Sequence, residues 1–224
     1  MVERVLQMVG INDVSDSTKI DDTPDISTKL LDNHPNGAPR ACDWNYRSVV
    51  GAISYLRAMI RPDITFAVQQ CACFCNDPHQ QHEDAVKRIF RYLLRTKFKG
   101  LVLRPDKYRG LECFVDTDWS RSWQDNSSNN PLSAHSLSGY VIMYAGRPII
   151  WAYKMQTLVS LVTTVAEYIS LSSSLREVIL VLTLLNELKS QKFQFIHSPL
   201  VVKCRTFKDN KICIKIATNH KTRP

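Results

Sequence analysis

The hydrophobic period of this chain changes once, near Gly110, and the change calls for two different kinds of packing. Between Asp43 and Gly100 apolar residues recur three and four positions apart, the spacing of helices with one buried face. Beyond Gly110 they come in short β-type runs, LECFVDTD, SGYVIMYAG and PIIWAYK with TLVSLV behind it, and then in one long helical run. A helical region must therefore precede a sheet covered by a long helix, which is an α/β arrangement.

In the first region DWNYRSVVGAISYLRAMIRPDITFAVQQCACFC predicts two helices, interrupted at Arg61-Pro62-Asp63, with Pro62 starting the second. Asn76-Asp77-Pro78 marks a turn, and HEDAVKRIFRYLLRTKFKG predicts a third helix closed by Gly100. Its apolar stripe runs through Val86, Ile89, Leu93 and Leu94. Arg88, Arg91 and Arg95 share the opposite face, with Lys87, Lys97 and Lys99 beside them. Such a face is either solvated or follows phosphates. Upstream, residues 13–40 are rich in Asp, Ser, Thr, Pro and Asn and have no apolar period, so they read as a long exposed connector with a boundary near residue 41.

The three short runs predict three antiparallel strands, separated by the polar loop SRSWQDNSSNNPLSAHS and a turn at Gly146-Arg147-Pro148. A helix from about 163 to 189 follows, with Thr163 or Thr164 as N-cap, and its apolar C-terminal half is expected to be buried. After SQKFQFIHSP come a fourth strand, VVKCRTF, then Asp209-Asn210, and a short helix, KICIKIA. The order is β, β, β, α, β, α.

Composition removes several classes. The densest apolar run, VILVLTLL at 178–185, is shorter than the roughly 18 residues of a membrane span, so no bilayer crossing is expected. MVERVLQMVGI lacks the uninterrupted apolar core of a secretory signal, so the chain is expected to stay inside the cell. Seven cysteines, three of them in CACFC at 71–75, suggest reduced thiols and core packing rather than a disulfide framework or a zinc site. His79, His82, His135, His197 and His220 are scattered through polar segments and read as surface residues.

The acids are more informative. Asp116 and Asp118 in FVDTDW are two apart on a strand and share a face. Asp116 near the end of the first strand, Glu167 in about the first turn of the long helix and Asp209 at the end of the fourth strand occupy comparable places. In an open α/β sheet such ends converge where ligands bind. Three carboxylates there can share two divalent cations roughly 4 Å apart, the arrangement used for in-line displacement at a phosphodiester. Carboxylate oxygens favour Mg²⁺ or Mn²⁺ over zinc. The net charge of +8 is blocked: +6 over residues 41–110 and +7 over 191–224, against −3 over 1–40 and −2 over 111–190. Basic blocks flanking an acidic one suit a polyanion partner held beside a metal cluster.

Taken in order, WNYRSVVGAISYL, RPDITFAVQQCA, AVKRIFRYLLRTK, FVDTDW, SGYVIMYAGRPIIW, AEYISLS and FKDNKICIKIA resemble the successive motifs of the C-terminal part of a copia-type retrotransposon Pol polyprotein. The resemblance covers essentially the whole chain. It implies a reverse-transcriptase tail and linker over 1–40, a helical thumb or connection region over 41–110, and a ribonuclease H-like domain over 111–224. It further implies that Asp116, Glu167 and Asp209 are catalytic metal ligands for two Mg²⁺ or Mn²⁺ ions, with Asp118 as local support. The implied reaction is hydrolysis of the RNA strand of an RNA–DNA hybrid, with substrate gripped by Arg88, Arg91, Arg95, Lys203, Lys208 and Lys211. The rest of the polyprotein is an implied partner, and the implied location is a cytoplasmic virus-like particle or the nucleus.

Two positions depart from the family pattern. Val165 stands where the helix-start motif has a first Glu, and Leu137 stands where a basic residue precedes S/T-G-Y. The chain ends at HKTRP, where the family continues into a last strand and helix, so a C-terminally incomplete domain is expected. The polymerase Y-x-D-D motif is absent, and no DNA synthesis is expected. Two rivals stand beside the nuclease: a catalytically inactive nucleic-acid-binding remnant, and an integrase-type nuclease, whose acids run Asp, Asp, Glu rather than Asp, Glu, Asp.

Overall fold

Two units divide the chain between Val102 and Leu103. The computed structural model describes residues 2–7, 23–24, 31, 37–106, 108–119, 134–193 and 202–219. Most of the expected connector at 13–40, most of the polar loop after Trp119, His197 and His220 lie outside the described residues.

The first unit is helical: α1 (Val2–Gln7), α2 (Tyr46–Met59), a 3-10 turn (Pro62–Ile64) running into α3 (Thr65–Ala72), and α4 (Gln80–Arg95). Asn45 caps α2 by accepting from Ser48 N at 2.9 Å, which satisfies one of the amides a helix start leaves unpaired. The period-3.6 positions meet in one core, with Val49, Ile53 and Leu56 of α2, Val68 of α3 and Val86, Ile89, Phe90 and Leu93 of α4 almost wholly buried. The expected stop at Gly100 falls elsewhere, because α4 ends at Arg95 with Thr96 as its C-cap.

Arg61 explains the break between α2 and α3. Its guanidinium is buried, donates to Asp63 Oδ2 at 2.7 Å and to Thr96 Oγ1 at 2.6 Å, and so ties the break to the end of α4. Burial pushes the Asp63 carboxyl up, but the hydrogen bonds from Arg61 and Tyr92 outweigh it and hold the carboxyl low.

His82 corrects the reading of the histidines as surface residues. It is fully buried, stacks on Phe74 with centroids 4.1 Å apart, and accepts from His79 N at 2.8 Å, so it closes the start of α4. CACFC divides as well: Cys71 enters the core, Cys73 and Cys75 are half-buried, and all seven cysteines are free thiols.

The second unit is mixed α/β. Its strands are β1 (Leu111–Asp118), β2 (Leu137–Tyr144), β3 (Arg147–Met155) and β4 (Cys204–Phe207), and its helices are α5 (Thr163–Ser190) and α6 (Lys211–Thr218). The sheet order is β3-β2-β1-β4, with β1, β2 and β3 antiparallel as expected and β4 parallel to β1. The turn between β2 and β3 is Ala145-Gly146, one step before the expected place. Both residues have positive φ, 52° and 72°, as a two-residue hairpin of the right twist requires. A side chain at Gly146 would meet Arg109 Cδ at 3.3 Å.

Alternation does the rest. Leu111, Cys113 and Val115 of β1 and Tyr140 and Ile142 of β2 face Leu171 and Val178 of α5 and Cys213 of α6. The expectation that the C-terminal half of α5 is buried is corrected: Val178 and Leu185 are buried, but Ile179, Leu180 and Leu184 are more than half exposed. A helix laid on two strands buries one stripe, and an apolar circumference exceeds what that stripe can cover. By length and composition alone α5 also passes for a membrane span, and in this unit one side of it lies on β1 and β2.

Candidate metal centre

The parallel pairing of β4 with β1 sets the site. Phe114 pairs with Phe207, and their rings stack with centroids 4.7 Å apart. Two residues further along each chain stand Asp116 and Asp209, at equal distance from that pair and therefore level with one another. Asn210 then caps α6 by accepting from Cys213 N at 2.9 Å, which turns the chain away immediately after Asp209. Above this end of the sheet α5 supplies Glu167 from the start of its second turn, one or two residues further into the helix than expected, since the N-cap position is Val162 and not Thr163 or Thr164. One oxygen from each of Asp116, Glu167 and Asp209 lies within 4.8 Å of the others.

Glu167 is held by a buried polar network behind it. The Gln156 amide donates to Ser138 Oγ at 3.0 Å, to Ala166 O at 2.9 Å and to Ser170 Oγ at 3.2 Å. Thr117 Oγ1 donates to Ser170 Oγ at 2.5 Å, and Ser160 Oγ donates to Gln156 Oε1 at 3.3 Å. Residues on both sides of Glu167 are thus tied to β1, β2 and the segment after β3. A mutually satisfied network of this kind fixes a helix more tightly than apolar contact alone.

Lys208 is the largest departure from the sequence reading. That reading gives it to a phosphate-facing surface, whereas its side chain is only 2 % exposed. Its Nζ ion-pairs with Glu167 Oε2, lies 3.3 Å from Asp209 Oδ1 and 3.9 Å from Asp116 Oδ1, and donates to Val115 O at 3.2 Å. Glu167 Oε2 accepts no other hydrogen bond among the described residues. Strand parity places the ammonium there. Cys204 and Thr206 pair with Leu111 and Cys113, so Lys208 continues the face that turns toward α5. Burial raises the pKa of neighbouring Cys213, with Lys208 pulling against the shift.

The other expected site residues are dispersed. Asp118 is half-buried outside the cluster, with Tyr153 Oη 3.5 Å from its Oδ2. Lys203 and Lys211 are exposed on either side of β4. In the first unit Arg88 and Arg91 are half-buried and Arg95 is exposed, and Arg88 donates to Thr23 O and Oγ1 at 3.2 Å each.

Chemically, three carboxylates offer the hard oxygens that Mg²⁺ and Mn²⁺ prefer, so the cluster could hold a metal ion. The donor set fits such an ion, and one positive charge of the chain's own already faces it. Sequence reasoning named Lys208 but placed it on the surface, and it missed Gln156, Ser138 and Ser170. The signal for Lys208 was its even spacing from Cys204; the polar trio carries none, since isolated Ser and Gln read as surface until the strands are paired.

No family model matches the chain. It is 36 % identical over 143 residues to the retrovirus-related Pol polyprotein from transposon RE1 of Arabidopsis thaliana, covering 64 % of this chain and 9 % of that protein. It is 32 % identical over 179 residues to the corresponding polyprotein from transposon RE2 of the same plant, covering 80 % of this chain and 11 % of that protein. Secreted RxLR effector protein 161 of Plasmopara viticola is 35 % identical over 134 residues, covering 60 % of this chain and 89 % of that protein. The chain thus spans about a tenth of the length of the two polyproteins it matches.

Proposed function

The chain belongs to the retrovirus-related Pol polyproteins of copia-type transposons, and from that premise we propose that its second unit is a ribonuclease H-like domain acting on the RNA strand of RNA–DNA hybrids. The convergence of Asp116, Glu167 and Asp209, from three separate elements, at one end of a β3-β2-β1-β4 sheet carries this reading. In it the three carboxylates hold Mg²⁺ or Mn²⁺. Such ions, when bound, activate water and stabilise the charge that develops on the phosphate.

The chain's own residues do the remaining work. Gln156, Ser138 and Ser170 keep Glu167 at the sheet end, Asn210 starts α6 directly after Asp209, and Lys203 and Lys211 offer exposed charge to phosphates. The helical first unit is the end of the reverse transcriptase in this reading, with Arg88, Arg91 and Arg95 as its contribution to nucleic-acid binding.

One observation favours a second reading, a domain that binds hybrids without cutting them: the Lys208 ammonium among the carboxylates. Cleavage of a labelled RNA–DNA hybrid in Mg²⁺ and Mn²⁺, with Asp116→Asn alongside, separates the two. Cleavage of the RNA strand alone, lost in the variant, is the result expected of the nuclease. Hybrid binding by both proteins with no cleavage by either would leave the second reading in its place.

A further inference from the structure

We infer that Lys208 is a built-in counter-ion of the carboxylate cluster, competing with divalent cations for Asp116, Glu167 and Asp209. The inference rests on the reading of that cluster as a metal centre. An exposed lysine beside acids would be an ordinary surface ion pair of little consequence. Lys208 differs in three respects. Its side chain is buried, its Nζ faces an oxygen from each of the three carboxylates, and its remaining hydrogen bond goes to the Val115 carbonyl, which anchors it from below. The ammonium therefore stands where cation density is most favourable.

A divalent ion drawn to the same oxygens meets a positive charge already in place. It must either expel the ammonium from a buried position or settle for the outer oxygens of Asp116 and Asp209, both of which are largely exposed. In the second case the ion forgoes Glu167; in the first it binds only to the fraction of molecules whose ammonium has left. If that fraction is about 1 %, apparent affinity falls about 100-fold.

The test is Mn²⁺ binding to the full chain, followed by the electron paramagnetic resonance signal of free Mn²⁺, with thermal unfolding in excess Mg²⁺ as a second readout. Lys208→Met keeps the length of the stem and removes the charge. It should bind Mn²⁺ at least about tenfold more tightly than the parent and gain thermal stability in Mg²⁺ that the parent does not. Asp116→Asn added to Lys208→Met should abolish the gain, which locates it at the cluster.

If Lys208→Met folds only when Mg²⁺ is present, the ion has taken the place of the ammonium and the inference stands. If it fails to fold even in excess Mg²⁺, a divalent ion cannot replace the ammonium and the inference falls. Equal, tight Mn²⁺ binding by parent and variant would overturn the competition while leaving the metal centre intact. No binding by either would overturn both.

Discussion

Glu83 is where the first unit should respond most sharply to acid. It lies fully buried in the first turn of α4, where its carboxylate pairs with Lys87 Nζ at 2.7 Å and Arg40 Nε at 3.4 Å and accepts from Cys42 N at 3.1 Å. Burial raises its pKa, but the Lys87 bond and the Cys42 amide outweigh burial and hold the carboxyl at about 2, against 4.5 for a free glutamate. At about 1.36 kcal/mol per pKa unit this is at most about 3 kcal/mol of stability.

The sign follows from a depressed folded-state pKa. The contribution is complete above the unfolded value of 4.5 and is lost as pH falls through about 2. Glu83→Gln, which keeps the shape and removes the charge, should therefore destabilise the unit by about 3 kcal/mol at pH 7 and by only about 1.4 kcal/mol at pH 3. Native-state exchange of the α4 amides at Val86, Ile89 and Leu93 reads this unit alone. A gap of the same size at both pH values would refute the reasoning, since it would mean that packing or hydrogen bonding, and not charge, carries the effect.

Three further outcomes are expected. Gln156→Leu removes the amide that joins Ser138, Ser170 and the Ala166 carbonyl, leaving the two serines their bonds to each other and to Thr117; it should cost about 1–3 kcal/mol in thermal unfolding and weaken amide protection in the first turns of α5. Glu112, buried between Arg109 and Arg205, joins β1 to β4; Glu112→Ala takes away the shared acceptor and should cost about 1–3 kcal/mol and release β4 amides to exchange, whereas Arg205→Ala, whose side chain is 68 % exposed, should cost under about 1 kcal/mol. Replacing Arg88, Arg91 and Arg95 together by Gln should weaken binding of an RNA–DNA hybrid and reduce its salt slope by about 2–3. An unchanged slope would confine these arginines to contacts within their own unit, such as Arg88 with Thr23.

What could be read beforehand was what depends on local period. Alternation over residues 111–118 and 137–155 marks three antiparallel strands, and the Arg61-Pro62-Asp63 break and the extent of α5 follow from spacing and from proline's fixed geometry. The convergence of Asp116, Glu167 and Asp209 was legible because strand ends and helix starts meet in such sheets.

What escaped depends on partners distant in the chain. His82 sits in a polar stretch, and contacts such as the Phe74 ring and the His79 amide make it a core residue. Gly100 is a sound helix stop by composition, yet the Arg61 bonds to Thr96 hold the chain at the end of α4 first. Ile179, Leu180 and Leu184 look like core until the width of the sheet beneath α5 is known. Lys208 reads as a surface residue by its charge, whereas its even spacing from Cys204 turns it inward.

The four paired positions of β1 and β4 act on the site as a reading frame acts on a message. A residue gained or lost between Cys204 and Phe207 would leave the composition of β4 almost unchanged, but it would invert every facing after it. Lys208 would turn out to solvent, Asp209 would turn in beneath α5, and Asp116 would lose its level partner. Point substitutions in this strand can grade the site, whereas a single-residue slip exchanges its cation for an acid, so the length of β4 is under tighter constraint than its sequence.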